Sequence, residues 1–256
     1  MLKTKTIDIR ELKSPWTLAA TSWLWPLPIA ENLERMANWD LPIRQAALLF
    51  YESDPSLDLE PRDLPGLPGL TTHAHLPVDL PWNKGAKKVW KILTRLMDKV
   101  DRLGAWAGVL HPPADPEVMA EVAAMWKKAA PPWRLLLENV PGQDLSAHWP
   151  MIKDLDLPLC LDFGHMWAFG QHWLLKDPEV LPRVELLHCY APGDTPNRHK
   201  HLSLAELTPE QTLSLRRILA QLPRRVVILF EVFAISDLRT SLEAFYHLTD
   251  DLEVRP

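Results

Sequence analysis

Acidic and imidazole side chains recur at the ends of short apolar runs along this chain of 256 residues. Short apolar runs bounded by turn residues are typical of buried parallel strands. A charge at the end of a buried strand is costly unless it is paired or binds a metal. Oxygen and nitrogen ligands without thiolates suit Zn, Mn or Fe(II). The pattern therefore indicates a metalloenzyme whose candidate residues are Glu52, His75, His111, Glu138, Asp162, His188 and Glu231.

Alternating strands and helices must position these side chains. Helical spacing predicts helices over Ile29–Asn38, Lys84–Leu103, Pro116–Lys128 and Thr208–Gln221, the last with a capping box. The alternation favours a closed (β/α)8 TIM barrel, in which the carboxyl ends of all strands meet at one rim. The length suits one such barrel, so we expect residues 1–256 to form a single domain. The predicted strands are Thr17–Trp23, Ala46–Glu52, Leu70–His75, Ala105–His111, Arg134–Glu138, Leu159–Asp162, Val184–His188 and Val226–Glu231.

Further candidates lie beside the predicted strands. His73 precedes His75 by two residues, and His165 follows Asp162 by three. The segment Asn197-Arg198-His199-Lys200-His201 follows strand seven and could equally be a solvated polar loop. Glu52 could orient a ligand histidine or form a structural ion pair. Tryptophans near the predicted strand ends could pack on a ligand or on the core: Trp23, Trp25, Trp82, Trp167 and Trp173.

Composition narrows the class of protein. The formal net charge of -5 disfavours a general nucleic-acid binder, which normally carries a basic excess. The N-terminal sequence has no apolar signal-peptide core, and no run of apolar residues is long enough to cross a membrane. Cys160 and Cys189 lie inside predicted strands and are expected to be free thiols. We therefore expect a cytoplasmic protein that does not bind membranes; its oligomeric state stays open.

Taken together, these residues resemble the xylose isomerase-like barrel superfamily over nearly the whole chain. Glu138, Asp162, His188 and Glu231 match the ligands that hold one metal ion in its isomerases and epimerases. The endonuclease IV branch adds histidines that build a cluster of metal ions, and the matching positions here are His75, His111, His165 and His199. That branch has Asp-Arg-His where this chain has Asn197-Arg198-His199, so a third metal site loses a negative ligand.

Two segments are also similar to the cobamide-remodelling phosphodiesterase group (CbiR-like) of the same superfamily. They are Thr21-Ser-Trp-Leu-Trp-Pro, continuing to Glu52, and His75-Leu-Pro-Val-Asp79-Leu80. The resemblance implies hydrolysis of the nucleotide loop of cobamides, the vitamin B12 class, to a corrinoid phosphate and the lower-ligand nucleoside. It implies two or more divalent ions, with zinc expected first and Mn or Fe(II) as alternatives.

The resemblance also implies roles for individual residues. Glu138 would bridge two metal ions, with His75 and His111 on one and Asp162, His188 and Glu231 on the other. His165 and His199 would hold a third ion or the phosphate. Glu138, Glu231 and Arg198 are the expected catalytic residues, and the corrinoid substrate is expected to contact Trp23, Trp82, Trp167 and Lys200.

Three other functions stay open from the sequence. A sugar isomerase or epimerase would use one metal ion and only the four shared ligands. An endonuclease acting at abasic sites would use the additional histidines but fits poorly with the negative net charge. A binding protein without activity would keep the ligands as structure. The additional histidines argue against the isomerase.

Overall fold

The computed structural model describes residues 13–195 and 198–252. Within them, eight parallel strands form a closed barrel in chain order, each pairing with the next and the last with the first. The predicted (β/α)8 barrel is confirmed, and all eight predicted strands are present with ends shifted by a few residues. The strands are β1 Thr17–Thr21, β2 Gln45–Leu49, β3 Thr71–His75, β4 Ala107–Leu110, β5 Arg134–Glu138, β6 Leu159–Asp162, β7 Val184–Cys189 and β8 Val227–Phe230.

Helices follow the strands around the outside of the barrel. They are α1 Ile29–Asn38, α2 Ser53–Asp58, α3 Ala86–Asp101, α4 Pro116–Ala129, α5 Trp149–Leu155, α6 Phe163–Ala168, α7 Pro209–Leu219 and α8 Ile235–Thr249. The capping box at Thr208 and Gln211 is confirmed, and the side chain of Asp115 caps α4 by accepting a hydrogen bond from Glu117. These caps satisfy backbone groups that the first helical turn would otherwise leave unpaired.

Side chains alternate along each strand between two hydrophobic clusters. One cluster lies between the strands and the helices and contains Phe50 and Leu137. The other fills the barrel interior with strand residues such as Leu49 and Leu136. Successive strand residues point to opposite faces. Residues two positions after an interior residue therefore project over the barrel axis at its carboxyl end, and that is where the candidate site forms.

Candidate metal centre

Alternation places four of the predicted ligands over the barrel axis. Glu138, Asp162, His188 and Glu231 each follow an interior residue by two positions, and their interior predecessors are Leu136, Cys160, Leu186 and Leu229. All four are almost fully buried. Their ligand atoms lie within 4.8 Å of one another, so the barrel brings the four predicted residues to one point.

The two carboxylate oxygens of Glu138 face different groups. Oε2 lies 3.2 Å from Nε2 of both His75 and His111. Oε1 lies 3.3 Å from Nδ1 of His188 and 3.6 Å from Nδ1 of His165. His75, His111 and Glu138 form a compact group of potential ligands in their own right. One carboxylate therefore belongs to two adjoining groups of ligand atoms.

His188 is the centre of the second group. Its Nδ1 lies 3.2 Å from Glu231 Oε2 and 3.6 Å from Asp162 Oδ2. Glu231 Oε2 is in turn 3.4 Å from Nε2 of His201. The sequence interpretation left His201 in a polar loop without a role. The loop after β7 returns through an isolated bridge between Ala191 and Leu202, and this bridge brings the imidazole to the centre.

A third set of imidazoles lies at the outer edge of the centre. His165 Nε2 is 3.3 Å from His199 Nε2, and the rings of His199 and His201 have centroids 5.2 Å apart. The structure thus brings together every predicted metal ligand. We call the nine residues the histidine–carboxylate cluster: His75, His111, Glu138, Asp162, His165, His188, His199, His201 and Glu231. Asn197 lies outside the described residues.

The buried negative charge of the cluster is balanced only by imidazole. In the described part of the chain, the ion pairs of Glu138, Asp162 and Glu231 are all with histidines. Burial would raise the pKa of Glu138, but nearby His188 and His111 lower it well below its ordinary value. The pKa of Glu231 is also lowered well below its ordinary value against the cost of burial. Burial opposes a charge on His188, yet the surrounding acidic groups raise its pKa well above its ordinary value. The centre therefore favours added positive charge.

The unpaired atoms of the cluster fit divalent cations. Within residues 13–195 and 198–252, several buried polar atoms lack a hydrogen-bond partner although they lie close together. They are His111 Nε2, Glu138 Oε2, Asp162 Oδ2, Glu231 Oε2 and both ring nitrogens of His188. An unpaired buried polar atom costs about 1–3 kcal/mol. A cation would satisfy these atoms, because carboxylate oxygens and neutral imidazole nitrogens bind Zn and related metals.

Cys160 stands beneath this group. Its sulfur lies within 4.8 Å of ligand atoms on Glu138 and His188. Burial raises the pKa of the thiol far above its ordinary value, so the thiolate that a metal requires is disfavoured. Oxygen and nitrogen ligands remain the better donor set, and Cys160 and Cys189 are both buried free thiols, as the sequence predicted.

Amide side chains that the sequence interpretation overlooked hold the ligands in place. Asn139 donates to the backbone oxygen of Asp162 at 2.9 Å and accepts from its backbone N–H at 2.8 Å. Asn139 also donates to Gln171, which donates to the backbone of Val140. The backbone N–H of His165 donates to Asp162 Oδ1 at 2.6 Å. Asn139 follows Glu138 directly, so one strand end both supplies a ligand and orients its neighbour.

Gly164 lies between the ligands Asp162 and His165 for a steric reason. The fully buried ring of Tyr190 occupies the space where a side chain on Gly164 would project. A Cβ there would overlap Cε2 and Cζ of Tyr190 and lie 2.6 Å from its hydroxyl oxygen. Tyr190 packs in turn on His201, with ring centroids 4.1 Å apart. The glycine therefore allows β7 and α6 to approach closely beside the cluster.

The cluster forms the floor of a cavity of about 560 Å³ at the carboxyl end of the barrel. Trp23, which the resemblance implies as a substrate contact, lines the cavity. Tyr51, Val78 and Phe233 also line it and were not predicted. Alternation could have found Tyr51 and Phe233, because each lies in the interior series of its strand: Tyr51 follows Leu49, and Phe233 follows Glu231 by two positions.

Other candidates from the sequence lie away from the cavity. Trp82 and Trp167 pack against the hydrophobic core between strands and helices, so the cavity lining does not include these two predicted substrate contacts. Arg198 and Lys200 are exposed outside the lining, and their roles stay predictions.

Glu52 and His73 also lie outside the cavity. Glu52 is exposed and lies three residues beyond the end of β2, in the series of Phe50 that points away from the barrel axis. His73 is fully buried below the cluster, where its Nδ1 lies 2.7 Å from the amide nitrogen of Gln45. The structure brings neither residue into the cavity lining.

Comparison with solved structures finds proteins of similar fold, whereas comparison by sequence finds no match. No protein-family model matches the chain, and no curated protein matches it. A Thermus thermophilus protein solved after soaking with ZnCl2 is similar in structure, with 21% identity, a TM-score of 0.59, and coverage of 94% of this chain and 100% of that one. A structure of L-ribulose 3-epimerase has 16% identity, a TM-score of 0.61, and coverage of 93% and 94%.

A sugar phosphate isomerase/epimerase from Parabacteroides distasonis has 10% identity, a TM-score of 0.58, and coverage of 96% and 99%. In the described part of this chain, no helix is both long and apolar enough to cross a membrane. At these identities, the similarity shows a shared architecture, and the chain is a (β/α)8 barrel with a buried histidine–carboxylate cluster that could hold metal ions at the carboxyl ends of its strands.

Proposed function

We propose that this protein is a metal-dependent phosphodiesterase that hydrolyses the nucleotide loop of cobamides. The observation that carries the proposal is the position of Glu138 between two groups of ligand atoms. His75, His111 and Glu138 would hold one divalent ion, and Glu138, Asp162, His188 and Glu231 a second. Bound divalent ions supply activation of water and neutralisation of negative charge on a phosphoryl group.

The reaction is a simple hydrolysis. The oxygen of a water molecule forms a bond to phosphorus, and the bond from phosphorus to the nucleoside oxygen breaks. One proton of the water passes to the departing oxygen, so the products are a corrinoid phosphate and the free lower-ligand nucleoside. His201 contacts Glu231 and lines the cavity, and it is placed to hydrogen-bond a phosphate oxygen or to move a proton there.

The remainder of the cavity supports a broad, partly apolar substrate. Trp23, Tyr51, Val78 and Phe233 present apolar surface beside the cluster. Among the described residues, the cavity lining contains no lysine or arginine, whereas a surface that binds duplex DNA normally contacts several phosphates with such side chains. This feature and the net charge of -5 favour a cobamide over an abasic-site duplex.

A sugar isomerase or epimerase is the second candidate function. Several structures of similar fold are sugar isomerases or epimerases. That reaction would use one ion held by Glu138, Asp162, His188 and Glu231, and would leave His75 and His111 without a role in catalysis. The two proposals therefore differ in whether His111 is needed.

The experiment compares substrates and variants in parallel. Wild-type protein loaded with Zn, Mn or Fe(II) is incubated with adenosylcobalamin, an abasic-site duplex and a panel of ketoses. His111→Ala is compared with His247→Ala, since His247 is an exposed histidine on α8. We expect wild type to release nucleoside from adenosylcobalamin, His111→Ala to lose this activity and bound metal, and His247→Ala to keep both.

Each alternative has its own signature in this experiment. Ketose conversion that survives His111→Ala would establish the isomerase and refute the phosphodiesterase. Cleavage of the duplex with the cobamide left intact would move the activity to DNA. Absence of any turnover by metal-loaded protein would favour a binding protein.

A further inference from the structure

Exposed apolar side chains concentrate at the mouth of the cavity. In the described residues, the large hydrophobic side chains that are exposed are Trp23 at 41%, Tyr51 at 56%, Val78 at 38%, Phe233 at 43% and Leu213 at 50%. All of them except Leu213 line the cavity above the histidine–carboxylate cluster. Isolated exposed apolar residues are ordinary, whereas a contiguous patch marks a binding surface.

The four side chains form one continuous surface, which we call the apolar wall. Phe233 follows β8, Trp23 follows β1, Tyr51 follows β2 and Val78 follows β3. These four strands are consecutive neighbours in the closed barrel. The rings of Trp23 and Tyr51 have centroids 6.2 Å apart, and the backbone N–H of Val78 donates to the carbonyl of Tyr51. The wall therefore lies along four consecutive strand ends of the eight-stranded barrel.

The apolar wall joins the cluster directly through Phe233. The rings of Phe233 and His201 have centroids 4.9 Å apart, and His201 contacts Glu231. The cavity thus has an apolar side and a polar side that meet at Phe233. Under the proposed function, the phosphodiester would lie over the cluster and an apolar part of the substrate would lie against the wall.

The space beside the wall exceeds what a phosphodiester alone needs. A second cavity of about 530 Å³ adjoins the first, and Trp23 and Phe233 line both. Trp25 and three neighbouring residues complete this second cavity. Asn32 fixes the backbone of Trp25 with hydrogen bonds in both directions, so this part of the surface is preorganised and loses little entropy on binding.

We infer that Trp23 and Phe233 form a ridge that binds the flat face of the corrin ring and thereby directs the phosphodiester onto the cluster. This inference rests on the proposed function for the identity of the substrate. The ring would lie across the ridge and extend over both cavities, while Tyr51 and Val78 would contact its edge. The two ridge residues would then determine specificity, since they contact a part of the substrate that does not react.

The test measures ring binding separately from hydrolysis. Equilibrium dialysis gives the Kd of dicyanocobinamide, which has the corrin ring but lacks the nucleotide loop, for wild type, Trp23→Ala, Phe233→Ala and the control Leu213→Ala. We expect each ridge variant to weaken binding by about tenfold, the scale expected for loss of one buried aromatic contact. Leu213→Ala should bind as wild type does. Trp23→Leu and Phe233→Leu, which keep apolar bulk, should weaken binding less.

Kinetics with adenosylcobalamin provide the second readout. The ridge variants should raise KM with a smaller effect on kcat, because the ring contact is made before and during reaction alike. Equal Kd values in wild type and both ridge variants, or failure of wild type to bind cobinamide, would overturn the inference. If light scattering shows a different molecular mass for the ridge variants than for wild type, with no change in Kd, the wall is a contact between copies of this chain. That result would also overturn the inference. Ridge-dependent binding of cobinamide without nucleoside release by wild type would refute the proposed reaction and leave the inference standing.

Discussion

Replacing Gly164 with alanine tests the close contact between α6 and β7 beside the cluster. The new Cβ would overlap the ring of Tyr190, which is fully buried and packs on His201. Overpacking in a buried site costs about 1–3 kcal/mol. We expect a cost at the upper end of this range, because the Tyr190 ring is fully buried and packs on His201. Gly164 lies in α6, and replacing glycine with alanine in a helix stabilises the folded state by about 1 kcal/mol. The expected net destabilisation is about 2 kcal/mol, the difference between these two terms.

Thermal and urea unfolding measure this effect. For a chain of this length, 1 kcal/mol shifts Tm by about 2–4 °C, so Gly164→Ala should lower Tm by about 4–8 °C. Gly66→Ala is the matched control, because a Cβ there would meet only Leu103, at an ordinary 3.5 Å. Gly66→Ala should be neutral or stabilise by about 0.4–1 kcal/mol through the unfolded chain.

A double-mutant cycle identifies the cause. Removing the ring with Tyr190→Ala should abolish the overpacking cost in urea unfolding and leave the helical gain of about 1 kcal/mol, so Gly164→Ala should then be stabilising. The coupling energy between the two substitutions is therefore about 3 kcal/mol, the overpacking cost itself. An unchanged Tm in Gly164→Ala would refute the steric reasoning. An equal cost of Gly164→Ala with and without the Tyr190 ring would show that the destabilisation has a different origin.

The other predictions concern the ligands, their support and the thiols. Glu138→Gln should reduce bound metal from two ions to one or fewer by elemental analysis and abolish turnover, whereas Glu185→Gln, which lies in an ion pair with Arg134, should keep both; two ions in Glu138→Gln would contradict a bridging role. Asn139→Ala should weaken metal affinity by about ten- to hundredfold in a chelator competition, because the support of Asp162 is lost; unchanged affinity would separate this network from the metal centre. Burial raises the pKa of both cysteine thiols far above the ordinary value, so at pH 8 they should react with Ellman's reagent only after unfolding, and rapid labelling of the folded protein would contradict their burial.

The types of the ligand residues and their recurrence at strand ends could be predicted from the sequence. Eight apolar runs separated by helices predict the barrel, and seven of them end in a histidine or carboxylate at or near the carboxyl end of a strand. The sequence also implies the direction in which most strand side chains point. Residues two positions from an interior residue must point inward, so the count that selects Glu138 and Glu231 also selects Tyr51 and Phe233 and excludes Glu52.

Contacts between distant segments were decided only by the tertiary structure. His201 reaches Glu231 because the loop after β7 folds back through the bridge at Ala191 and Leu202. Asn139 supports Asp162 from the next strand, and Tyr190 explains a glycine 26 residues earlier in the chain. Trp82 and Trp167 pack against the core. The sequence left this open, because strand alternation does not determine where side chains point in loops and helices. Local patterns fix the direction of a side chain relative to its own strand, but its neighbours across the barrel depend on closure, register and the paths of the loops.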